Sequence, residues 1–98
     1  MTVGFPTAGA QSTNITTSTN TQVKTGAGIF LGLSVNTGQS GASATVYDGT
    51  SAAGKKLGAY SAAAQGGPVL PQAGLAFTTG LFVVTAGATP ADITIAWN

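Results

Sequence analysis

The chain has 98 residues with five charged side chains and a formal net charge of +1, against about 25% charged residues in an ordinary domain. That length makes one domain; zero Cys excludes a disulfide framework and thiol chemistry, and three Lys without Arg are too few to neutralise a run of phosphates. No stretch approaches the ~18 unbroken apolar residues of a membrane span, and the first twenty residues lack the basic and apolar regions of a secretory signal, so the expectation is no nucleic-acid and no membrane partner.

Residues 1–22 are polar and Thr-rich, with three isolated apolar anchors at Val3, Phe5 and Ile15. They show no helical period, and their Thr content favours extended chain. The reading is an extended N-terminal arm with a short strand near its end. Pro6 holds its own φ near −65° and biases Phe5 toward an extended conformation. Val3, Phe5, Pro6 and Ile15 are therefore the expected partner-binding residues, docking separately onto neighbouring subunits.

From Val23 to Asn98 the pattern becomes short alternating runs punctuated by Gly, the mark of many short strands. Ile29, Leu31, Leu33 and Val35 alternate onto one face, with Phe30, Gly32, Ser34 and Asn36 on the other. Turn residues 36–42 follow, then Ala44 to Tyr47 and the turn dipeptide Asp48-Gly49. Lys56 to Tyr60 reads as a strand, and Ser61 to Gly67 as the longest connection. Pro71 demotes Val69 to Phe77 to an edge strand or extended loop. Gly80 to Thr85 is a compact apolar strand, and Ile93, Ile95 and Trp97 alternate inward on the last one. About seven strands at this spacing predict an all-β fold: a single antiparallel β-sandwich or jelly-roll-like domain over residues 23–98.

The core is thin. Ala, Gly, Thr and Ser supply 55 of the 98 residues, and alanine gains far less on burial than the roughly 1.5–3 kcal/mol of a Val, Leu, Ile or Phe. Association with other copies would offset this, since a partner that binds only the folded form stabilises it.

Catalysis has little to work with. General acid–base chemistry needs a titratable group tuned near working pH, yet His, Cys and Glu are absent. Asp48 and Asp92 read as turn and strand-start residues. A nucleophilic hydroxyl needs an adjacent base, and the three lysines offer none in a suitable context. The glycine pairs lack phosphate-loop surroundings, and two carboxylates without His make a poor transition-metal site. The expectation is no enzyme, no cofactor and no metal.

Three segments, KTGAGIFLGLSVNTG (24–38), VYDGTSAAGKKL (46–57) and TGLFVVTAGATPADITIAW (79–97), resemble small virion structural proteins of tailed bacteriophages. The resemblance implies a capsid decoration or cement protein, commonly a homotrimer, bound to the major capsid protein on the virion surface and made in the host cytoplasm. It brings no catalytic residues and does not reach residues 1–22. The alternative is a receptor- or carbohydrate-binding β module of a phage tail or fibre, or of a bacterial surface protein. An exposed aromatic platform would favour that alternative.

Overall fold

Successive side chains of an extended chain point to opposite faces, so a half-apolar strand buries one face only and needs a second sheet to cover it. The computed structural model describes residues 11–66 and 74–98 and contains, among them, eight strands and no helix. These are β1 (Gln11–Ile15), β2 (Asn20–Thr25), β3 (Gly28–Thr37), β4 (Ser43–Asp48), β5 (Lys55–Ser61), β6 (Leu75–Phe77), β7 (Gly80–Ala86) and β8 (Asp92–Trp97). Val3, Phe5, Pro6 and Pro71 lie outside the described residues.

The strands form two four-stranded antiparallel sheets, β1-β8-β3-β6 and β2-β7-β4-β5, here called sheets A and B. Strands β1 and β8, β2 and β7, β3 and β6, and β4 and β5 are hydrogen-bonded pairs. The chain is thus one long hairpin, with its tip between β4 and β5, rolled so that β8 also meets β3 and β7 also meets β4. That is the jelly-roll arrangement of an antiparallel sandwich. The Asp48-Gly49 dipeptide opens the tip, where Asp48 pairs with Lys55 and the turn closes through the Gly54 amide on the Ser51 carbonyl at 3.1 Å.

Between the sheets lie Ile15, Phe30, Leu33, Val35, Val46, Phe77, Leu81, Val83, Ile93 and Ile95, with Ala42, Ala44, Ala62 and Ala91 filling the gaps. No polar or charged side chain is buried among the described residues. Tyr60 packs against the core from its margin, its ring 6.4 Å from that of Phe30. Full burial of Phe30 and Phe77 is expected to contribute roughly 1.5–3 kcal/mol each.

Two expectations are corrected. The simple alternation of β3 fails at its start: the register with β8 shifts between Phe30 and Gly32. Phe30 is fully buried, whereas Ile29 and Leu31 are each 37% exposed. A bulge inserts one extra residue and so reverses the side-chain phase. Gly32, at φ +138°, adopts the backbone that makes this possible.

The second correction concerns the arm. Residues 11–15 are β1, paired in unbroken register with β8, and residues 20–22 already belong to β2. Ile15 is 5% exposed and part of the core, so it is not a partner-binding residue. The polar alternation of QSTNI hid this strand. It lies at the edge of sheet A, where one apolar residue facing inward is enough.

Candidate functional site

Asp48 ends β4 beside the turn that carries the chain from β6 to β7. Its carboxylate accepts the amides of Thr78 and Thr79 at 2.9 Å each, the Gly80 amide at 3.4 Å and the Thr78 hydroxyl at 3.3 Å. The Thr78 and Thr79 amides favour the ionised form and hold the carboxyl below its ordinary pKa. The group is a clamp on a crossover between sheets, a more specific role than the local turn expected of it.

Asp92, at the start of β8, organises a row across sheet A. Its Oδ1 accepts the side-chain amides of Asn14 at 2.6 Å and Asn36 at 3.1 Å. Asn14 also donates to the Ile93 carbonyl at 2.8 Å, and Asn36 to the Thr94 hydroxyl at 2.8 Å. The bonds from Asn14 and then Asn36 lower the Asp92 pKa. Asp48 and Asp92 sit on strands of different sheets, and the described residues contain no cluster of three metal-ligating acidic, His or Cys side chains.

Trp97 is half-buried and packs against the core. Its indole N–H donates to the Thr13 hydroxyl at 3.3 Å, and the Lys24 ammonium lies 5.7 Å from the ring centroid. Lys24 further donates to the Ala27 carbonyl at 2.7 Å. The ring thus joins β8 to β1 and β2 and presents no open aromatic platform.

What remains as a contact surface is the outer side of sheet A. The bulge in β3 turns Ile29 and Leu31 outward, the two large hydrophobic side chains exposed among the described residues. Beside them runs an open trough of about 270 Å³ lined by Leu31, Gly32, Leu33, Ser34, Thr94 and Ala96. Small side chains at Gly32 and Ala96, neighbours in register, form its floor. Sequence reasoning missed this surface because strict alternation places Leu31 inward. Gly32 within an apolar strand was the available signal, since glycine there often marks a bulge.

All three lysines belong to strands of sheet B, Lys24 on β2 and Lys55 and Lys56 on β5, so Asp92 is the one ionisable side chain among the described strands of sheet A. Two further open hollows of about 340 Å³ each lie where residues 59–66 meet the end of β3 and the chain just after it, one beside Val35 and Tyr60 and the other beside Asn36, Thr37 and Gly38, with Ala64 and Gln65 lining both. Compared with known proteins, the chain matches no family model, no curated protein and no solved structure.

Proposed function

We propose that the protein is a non-enzymatic virion structural subunit that decorates or cements a bacteriophage capsid as a homo-oligomer bound to the major capsid protein. The observation that carries this reading is a partly apolar outer face whose one ionisable group among the described strands is Asp92, on a jelly roll whose two carboxylates both bond to the fold itself. Such a face loses little hydration on contact and tolerates changes of pH and salt, as a repeated shell contact must. Jelly rolls serve both viral capsids and lectins, so the fold by itself is an analogy and the surface decides. A sugar-binding reading calls for an exposed aromatic, and Trp97 is occupied by Thr13 and Lys24.

Electron microscopy of purified particles with the shell resolved tests the proposal. The expected result is jelly-roll density repeated over the capsid surface in contact with the major capsid protein. Density confined to tail or fibre, or capture of the protein by immobilised glycans, would instead establish the receptor-binding alternative.

A further inference from the structure

Asp48-Gly49 is the one Asp-Gly pair of the sequence, and such a pair has a chemistry of its own. The backbone nitrogen that follows an aspartate can attack the side-chain carboxyl carbon and close a five-membered imide ring. Glycine in the second place offers the least hindered nitrogen, because it carries no Cβ. The other aspartate, Asp92, precedes Ile93, whose branched side chain crowds the same nitrogen.

Ring closure makes three demands, and the fold opposes each. The Gly49 nitrogen must turn toward the carboxyl, but its N–H donates to the Gly80 carbonyl at 2.9 Å. The carboxyl must swing back onto its own main chain, but it accepts the Thr78 and Thr79 amides at 2.9 Å each. The ψ of Asp48 must leave the antiparallel strand value of about +135° for one of opposite sign, but Asp48 is paired with Lys55 on one side and Leu81 on the other. Residues 78–80 thus hold both reacting groups, and Gly49 itself is buried against Gly54.

We propose that Asp48-Gly49 is a modification site gated by folding: the folded chain holds it shut, and the unfolded chain converts its aspartate to isoaspartate. The Gly49 nitrogen bonds to the Asp48 side-chain carbon while the protonated carboxyl loses its hydroxyl, which leaves with the amide proton as water. Water then opens the ring. Attack at the former main-chain carbonyl leaves the backbone running through the side-chain carbon, one atom longer than before. One water leaves and one enters, so no oxidant, reductant or cofactor takes part. The new carboxylate sits directly on Cα and no longer extends to residues 78–80, so the clamp is lost. A chain that isomerises before it folds therefore loses the contact that would have protected it. This chemistry is independent of what the protein binds.

The test holds the full chain at about pH 5, with guanidinium chloride at concentrations running through the unfolding transition. Isoaspartate at position 48 is read by peptide mapping with a protease that cleaves before aspartate but not before isoaspartate. The expected rate is at least tenfold lower in buffer than in the unfolded chain and reaches half its maximum at the unfolding midpoint. In the unfolded chain Asp92 should convert at least tenfold more slowly than Asp48, and Gly49→Ala should slow Asp48 at least tenfold. That variant is measured only unfolded, so its own stability does not enter. Once returned to buffer, the isomerised chain should unfold at a lower denaturant concentration than the unconverted one. Equal rates folded and unfolded, or a rate that rises well before the midpoint through local opening, overturns the gate. No conversion at Asp48 in the unfolded chain, equally fast conversion at Asp92, or no slowing by Gly49→Ala overturns the site. An isomerised chain with the original midpoint overturns the loss of the clamp.

Discussion

The carboxylate of Asp48 accepts the Thr79 amide at 2.9 Å across 31 residues of chain, tying the end of β4 to the turn between β6 and β7. That turn carries the chain from sheet A to sheet B, and a side chain from a third strand holds its amides. Asp48→Ala is expected to lower the urea midpoint with little change in the slope of the transition. Asp48→Asn should recover only part of the loss, since the amide keeps an acceptor oxygen for one of the Thr78 and Thr79 amides but sets its N–H donors against the other. Equal midpoints for Asp48→Ala and the unaltered protein would refute the clamp.

Stability is expected to be nearly flat from about pH 5 to 9 and to fall on the acid side. Hydrogen bonds hold both Asp48 and Asp92 below the ordinary carboxylate pKa in the folded chain. Their ionised forms therefore bind protons more weakly in the folded chain than in the unfolded one. The stabilisation is present above the unfolded pKa and is lost as pH falls through the folded values. Burial raises the Tyr60 pKa above its ordinary value, so stability is also lost on the alkaline side as the unfolded phenol ionises first. Thermal melts across pH 2–11 check both arms. A steep change between pH 5 and 8, where no side chain of this His-free sequence ordinarily titrates, would overturn the expectation.

Adjacent residues Phe30 and Leu31 should respond in opposite ways to truncation. Phe30→Ala removes a fully buried ring and is expected to cost about 3–5 kcal/mol, a large part of the ~5–15 kcal/mol that holds a domain together. Leu31→Ala, on the solvent side of the bulge, should stay within about 0.5 kcal/mol. Chemical denaturation of the two variants decides the phase of β3. The reverse order would restore the uninterrupted alternation that the sequence suggests.

A chain beginning at Gln11 should fold with a cooperative melt, because it retains all eight strands described. One beginning at Val23 should not. It loses β1, leaves the β8 edge unpaired, cuts β2 in half and removes Ile15 from the core. Ile15→Ala alone is expected to cost about 2–5 kcal/mol. Circular dichroism and urea unfolding of the two shortened chains test where the domain starts.

Strand identity was written locally. Alternation at Leu33 and Val35, and at Ile93 and Ile95, announced inward faces that are indeed buried, while sparse charge foretold a surface of hydroxyls and amides. These properties depend on residues one or two positions apart, which a sequence displays directly. The eighth strand was missed because QSTNI at a sheet edge needs only Ile15 to face the core. The outward turn of Leu31 was missed because a bulge depends on how β3 meets β8, not on β3 alone. Tertiary structure also decided the partners. Gln11 lies opposite Trp97, and Asp48 opposite both Lys55 and Leu81. Apart from the β4–β5 hairpin, every connection between consecutive strands crosses from one sheet to the other. No local period encodes such pairings, because a strand's pattern fixes which face it buries but not which backbone edge completes its hydrogen bonds. That choice is made only when distant strands come together and satisfy one another's amides and carbonyls over a shared core.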